Sequence, residues 1–115
     1  MKVYISGPIT GHEDTADERF EAGEAVVREM GHEPLNPMKL DFPSVNGAPE
    51  WKDYMKRDLA ELMDCDGIYM LKRWRESKGA RVEFAVAAQM NLKIMFEDVV
   101  EAKRQESLAG KGSES

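Results

Sequence analysis

Short apolar runs alternate along the chain with stretches in which apolar residues recur every three or four positions. The runs predict strands at 2–6, 32–35, 67–71 and 92–96. The periodic stretches predict helices at about 15–30, 50–65, 80–91 and 98–108, the first opened by a Thr15/Glu18 capping box and ended by Gly31. This alternation favours an α/β fold in which helices cover both faces of a central parallel sheet.

Length and composition narrow the class of protein. The chain has 115 residues, a net charge of −6 and a single cysteine, Cys65. Residues 1–109 are therefore expected to form one domain, and the small polar residues 110–115 a disordered tail. The acidic balance speaks against binding to nucleic acid polymers or anionic membranes, and the lone thiol excludes a disulfide framework. The expected protein is soluble and cytoplasmic, and no metal or other cofactor is predicted.

Three loops follow the carboxyl ends of the predicted strands, where ligands bind in open parallel sheets. The first, 7–11, contains two glycines that let the backbone approach a ligand, although strand-to-helix turns are often glycine-rich. The second, 36–49, has several prolines and no periodicity, which is typical of a lid or binding loop. The third, 72–79, carries a basic cluster that suits an anionic ligand or a solvated surface, and its Trp74 could stack on a base or pack against the core.

Two acidic residues fall at positions that the helical pattern turns inward. Glu83 lies between Val82 and Phe84 in a helix that is apolar on nearly every face. Asp58 lies in the apolar stripe of the preceding helix, four residues after Tyr54. A buried carboxylate must be paired or adjoin a ligand cavity. Each residue is therefore either functional or structural. In the structural alternative, Glu83 faces solvent and pairs with Lys78 or Arg81, and Asp58 bonds to Arg57 or to a neighbouring backbone group.

Three segments together resemble the nucleoside 2-deoxyribosyltransferase superfamily, in particular its 2'-deoxynucleoside 5'-monophosphate N-hydrolase branch. They are VYISGPITG at 3–11, RDLAELMDCD at 57–66 and SKGARVE at 77–83. The likeness runs from residue 2 to about 96 in the family's order. It implies a flavodoxin-like three-layer sandwich, a homodimer, and cleavage of the base–deoxyribose bond in nucleosides or nucleotides without a cofactor.

The resemblance also assigns roles. Glu83 would be the nucleophile at the anomeric carbon, Tyr4 would hold its carboxylate, and Asp58 would contact the sugar hydroxyl and help to protonate the departing base. The residues lining the 5' end of the ligand would be Gly7, Ile9, Thr10, Gly11, Ser77 and Gly79. Two carboxylates suit a retaining mechanism through an oxocarbenium-like state.

Two departures from the family pattern bear on the substrate. Ser77 stands where transferases usually carry an acid, which favours the hydrolase branch. Thr10 stands where the hydrolases carry a basic residue, which leaves recognition of a 5'-phosphate to the basic cluster. Base exchange and a non-catalytic nucleotide-binding or sensing module are the alternatives to hydrolysis.

Overall fold

The structure is a computed structural model, which describes the backbone of residues 1–113 and the side chains of residues 1–108. Four strands alternate with four helices: β1 (Lys2–Ser6), α1 (Glu13–Glu29), β2 (Glu33–Leu35), α2 (Trp51–Met63), β3 (Gly67–Met70), α3 (Lys78–Gln89), β4 (Lys93–Phe96) and α4 (Glu97–Ser113). Two 3-10 turns, Pro37–Lys39 and Trp74–Glu76, lie in the loops after β2 and β3. None of the helices within 1–113 has the length and apolar character that a bilayer crossing requires.

All strand pairs in the described sheet are parallel, in the order β2-β1-β3-β4. In the central strand, Tyr4 pairs with Leu35 on one side and with Ile68 on the other. Parallel neighbours need crossover connections, and each crossover here contains a helix. The order reverses at β1, as in the flavodoxin-like arrangement. The predicted α/β class and flavodoxin-like sandwich are confirmed.

The alternation of side chains along β1 separates two apolar layers. Val3 and Ile5 point to one face, where they pack in a cluster with Phe20 of α1 and with Val100 of α4. Tyr4 points to the other face and packs in a cluster with Leu62 of α2 and with residues of α3. Because side chains alternate along a strand, one short apolar run supplies both layers of the core.

The helix ends show where local signals decide a boundary. The predicted C-terminal signal of α1 is present: Gly31 adopts φ +85°, Gly31 N donates to Arg28 O at 2.9 Å, and His32 N donates to Val27 O at 3.1 Å. This is a Schellman motif. The predicted start at Thr15 is wrong, since α1 begins at Glu13 after His12 with no side-chain cap.

The C-terminal end differs from the expectation of a tail from residue 110. The backbone of α4 continues past the predicted end at Leu108 to Ser113. No proline interrupts this stretch, so its backbone can continue the i to i−4 hydrogen-bond pattern. The remaining residues of the predicted tail, 114–115, lie outside the described part of the chain.

Candidate active site

A cavity of about 1000 Å³ opens at the carboxyl ends of the strands, between α2, α3 and the loops after β1 and β2. Its lining residues include eight of the nine candidate site residues: Tyr4, Gly7, Ile9, Thr10, Asp58, Ser77, Gly79 and Glu83. This is the edge at which ligands bind in doubly wound sheets. Residues of the glycine-rich loop and the proline-rich loop therefore surround one cavity, together with both inward-facing acids.

Glu83 is one of two buried acids that line this cavity. Glu83 is only 5% exposed, although other positions of α3 face solvent. The Tyr4 hydroxyl donates to Oε2 at 2.5 Å, and the Ser6 hydroxyl donates to Oε1 at 2.7 Å. The interpretation of Glu83 as a solvent-facing partner of Lys78 or Arg81 is wrong. Its carboxyl group is held instead by two hydroxyls of the central strand.

Burial dominates the ionisation of Glu83 and raises its pKa to about 7. The hydrogen bonds from Ser6 and Tyr4 favour the carboxylate and limit this rise, while the charge of Asp58 adds to it. A carboxyl group with this pKa exchanges its proton near neutral pH. In its ionised form it is a desolvated carboxylate, and such a group is a better nucleophile than one surrounded by water.

Tyr4 and Ser6 reach the same carboxyl group because they lie two positions apart on β1. Residues at i and i+2 point to the same face of a strand. The pKa of Tyr4 is raised well above its ordinary value, chiefly by burial and then by the negative charge of Glu83. Tyr4 therefore keeps its proton and remains a donor to Glu83. Ser6 is not among the residues predicted from the sequence, although the same alternation of side chains along β1 could have identified it.

Asp58 is the second acid of the cavity and is 7% exposed. Arg57 contacts one of its oxygens, Oδ1, with Nε at 2.9 Å and Nη2 at 2.8 Å. Burial raises the pKa of Asp58, and the adjacent Arg57 guanidinium opposes that rise. The described residues donate no hydrogen bond to the other oxygen, Oδ2, which leaves it free for a ligand. Asp58 is thus both paired, as one interpretation predicted, and part of the cavity, as the other predicted.

The loop after β1 meets the start of α3 at one end of the cavity. Gly7 must be a glycine, because a Cβ there would lie 2.8 Å from the Leu71 side chain. Ser77 caps α3 by accepting from Ala80 N at 3.2 Å. Gly11 differs from the other candidates: it is absent from the cavity lining, and its φ of +82° serves the turn into α1.

The basic cluster after β3 mostly turns away from the cavity. Arg73 pairs with Glu76 at 2.6 Å, and Lys72 pairs with Glu101 at 2.6 Å. Of the five bases in the cluster, only Lys78 is among the lining residues, with its Nζ 4.4 Å from the centre of the Trp51 ring. The five are Lys72, Arg73, Arg75, Lys78 and Arg81. Any positive charge that this cluster offers to a ligand in the cavity therefore comes from Lys78.

Aromatic side chains line the cavity on the α2 side. Trp51 and Tyr54 face it, as does Phe42 of the proline-rich loop, which is 80% exposed. Trp74 does not: it stacks on Phe84 with ring centres 4.7 Å apart and packs near Phe96. The suggestion that Trp74 stacks on a base is therefore not supported, and its alternative, packing against the core, describes its position.

Other polar groups have structural surroundings. Burial raises the pKa of the Cys65 thiol to about 11, which keeps it protonated. Within residues 1–108, no cluster of His, Cys, Asp or Glu has the arrangement of a metal site. The cavity thus offers carboxylates, hydroxyls, aromatic rings and the basic groups of Arg57 and Lys78.

The chain matches a known protein family. A family model described as "Domain of unknown function (DUF4406)" matches residues 1–96, which span every strand and the entire cavity. The chain belongs to the DUF4406 family. No curated protein sequence matches it.

Solved structures resemble this DUF4406 protein over most of its length. A 2-deoxyribosyltransferase from Bacillus psychrosaccharolyticus superposes with a TM-score of 0.65 at 22% identity, covering 84% of this chain and 71% of the enzyme. A 2-deoxyribosyltransferase from Leishmania mexicana superposes with a TM-score of 0.59 at 21% identity, covering 83% of this chain and 62% of that enzyme. A CMP N-glycosidase from Clostridium botulinum superposes with a TM-score of 0.56 at 19% identity, covering 84% of this chain and 67% of that protein. At these identities the likeness establishes a shared fold and confirms at that level the resemblance noted in the sequence.

Proposed function

We propose that this DUF4406 protein is an N-glycosidase that cleaves the base–deoxyribose bond of 2'-deoxynucleoside 5'-monophosphates or deoxynucleosides. The observation that carries the proposal is the buried carboxyl group of Glu83, held by Tyr4 and Ser6 on the floor of a large cavity with Asp58 beside it. The fold shared with 2-deoxyribosyltransferases and a CMP N-glycosidase supports the same reaction class.

Glu83 would act as the nucleophile. One carboxylate oxygen attacks C1' of the sugar, the C1'–N bond breaks, and its electron pair leaves with the base. The two hydroxyl donors fix the orientation of the carboxylate, and each of its oxygens accepts only one hydrogen bond and so keeps a lone pair for the attack. Preorganisation of this kind reduces the entropy lost on reaching the transition state.

Asp58 would serve the sugar and the leaving group. Its Oδ1 is occupied by Arg57, so Oδ2 is the oxygen available to a sugar hydroxyl or to the proton that the departing base requires. Protonated Asp58 gives its proton to the base as the C1'–N bond breaks. Water then attacks C1', breaks the bond to Glu83 and returns one proton to Asp58, leaving a hydroxyl on C1'. The two half-reactions restore both carboxyl groups and consume one water molecule, as in retaining glycosidases.

The aromatic and basic groups at the rim would bind the two ends of the substrate. Trp51, Tyr54 and Phe42 offer faces on which a base can stack. Lys78, Ser77 and the amide groups at the start of α3 offer donors to a 5'-phosphate. From the family resemblance we also propose that the protein acts as a hydrolase. We propose on the same ground that it forms a homodimer, and sedimentation velocity would test this oligomeric state directly.

The experiment is chromatographic detection of free base from a panel of deoxynucleosides and their 5'-monophosphates. Wild type should release base, Glu83→Gln should release none, and Glu21→Gln, which changes an exposed acid of α1, should match wild type. Mass spectrometry of acid-quenched wild type should detect a sugar adduct on the peptide containing Glu83. Failure of every substrate, with and without an acceptor base, would contradict the proposal.

The same panel separates the alternatives. Release that requires an added acceptor base, with a new nucleoside as product, would identify a transferase. Tight binding without release would identify a nucleotide-binding module. A 5'-monophosphate preference that disappears in Lys78→Gln would assign phosphate recognition to that lysine.

A further inference from the structure

A third buried acid lies outside the proposed reaction. Glu24 of α1 is 4% exposed, and its residue faces the end of β2 and not the cavity. The Asn36 amide donates to Oε1 at 2.6 Å, and the Lys39 ammonium lies 2.9 Å from the same oxygen. Arg28 adds a contact to Oε2 at 3.2 Å. A carboxylate with three donors is fixed in position, and so are the groups that bind it.

Two of the three partners of Glu24, Asn36 and Lys39, lie at the two ends of one turn. Asn36 precedes the 3-10 turn Pro37–Lys39 and accepts from Met38 N through Oδ1 at 2.9 Å. Lys39 ends the same turn, and its backbone N donates to Asn36 O at 3.0 Å. Glu24 therefore fastens to α1 a turn that opens the proline-rich loop, which has no regular structure between Leu40 and Glu50.

That turn is connected to the cavity through Arg57. Pro37 and Met38 line the cavity directly. Arg57 Nη2 donates to Pro37 O at 3.4 Å, and Nη1 donates to Asp41 O at 2.9 Å. The same guanidinium contacts Asp58 Oδ1 through Nε and Nη2. A planar guanidinium with several fixed donors transmits the position of the loop to the carboxylate.

We propose that Glu24 is a positioning residue of the candidate active site, acting through the Asn36–Lys39 turn and Arg57 to hold Asp58. The part concerning Asp58 in catalysis rests on the proposed function, whereas the part concerning the position of Arg57 does not. Glu24 touches neither the cavity nor the sites of bond breaking, so its effect reaches them only through the loop.

The test that needs no substrate is an NMR measurement on Glu24→Gln, with Glu21→Gln as the matched control on the same helix. The Arg57 Nε–H signal, assigned by its loss in Arg57→Lys, should shift or broaden in Glu24→Gln. Hydrogen exchange at the Met38 and Leu40 amides should accelerate by about tenfold or more. Neither quantity should change in Glu21→Gln. An unchanged Arg57 signal in folded Glu24→Gln would overturn the proposal.

The kinetic test uses whichever substrate the base-release panel identifies. Glu24→Gln should lower kcat by about tenfold with a smaller effect on KM, because misplacing a catalytic group affects the transition state more than binding. A fall in thermal stability alone, with kcat and the Arg57 signal unchanged, would indicate a merely structural role and contradict the proposal.

If Glu24→Gln does not fold, Lys39→Gln, which changes a largely exposed side chain, should show the same changes at smaller amplitude. If wild type releases no base, the proposed function fails, but the NMR result still decides the position of Arg57.

Discussion

Replacing Glu83 by glutamine should stabilise the fold at alkaline pH. Burial raises the pKa of Glu83 from 4.5 to about 7, so the folded protein binds its proton more tightly than the unfolded chain. The stability associated with this proton is fully present below the unfolded pKa and is lost as the pH rises through the folded value. Wild type should therefore lose stability between pH 5 and pH 8 through this group, whereas Glu83→Gln should not.

The size of the effect follows from the two pKa values. At about 1.36 kcal/mol for each pKa unit, the full difference corresponds to about 3 kcal/mol, of which about 2 to 3 kcal/mol falls between pH 5 and pH 8. Glutamine has a similar volume, and its amide can still bond both hydroxyls if one of them reverses its direction. Any cost of that rearrangement is independent of pH. It cancels when the gap between the two proteins is compared at two pH values.

Urea unfolding of both proteins from pH 5 to pH 8, followed by far-ultraviolet circular dichroism, measures this gap. Other titrating groups are common to both proteins and also cancel, and Glu21→Gln serves as the exposed control. A gap that is constant to within about 0.5 kcal/mol across this range would refute the argument that burial governs Glu83. A widening gap would show that the site carries a buried charge at a cost in stability, as sites of catalysis often do.

Three further predictions concern single positions. Asp58→Asn should reduce base release by about 100-fold with a smaller change in KM, measured by steady-state kinetics, since it removes the group proposed to handle the proton of the leaving base. Leu62→Ala, in the buried layer between α2 and the sheet, should lower the free energy of unfolding by about 2 to 5 kcal/mol in urea denaturation. Gly11→Ala should cost about 1 kcal/mol because φ is +82°, and it should leave KM unchanged because Gly11 does not line the cavity; a raised KM would restore Gly11 to the binding site.

The candidate site could be predicted in part because its unusual residues break a local pattern. Asp58 and Glu83 are acids at positions that helical periodicity turns inward, and both are buried in the structure. The sequence could not predict that most side chains of the basic cluster point away from the cavity. The ion pairs of the cluster depend on Glu76 within the loop and on Glu101 of a helix nearly thirty residues away, and charge alone does not indicate which partner is in reach.

The sequence by itself determined the order of strands and helices, the parallel sheet and the edge of that sheet at which the cavity opens. These features follow from hydrophobic periodicity and from the chirality of crossover connections, which are local or general properties of the chain. Only the tertiary structure decided which groups meet. Tyr4 and Ser6 bind a carboxyl group 79 and 77 residues away, and Glu24 reaches the turn after β2. Contacts of this kind depend on how the layers pack, and no periodicity within a single segment specifies them.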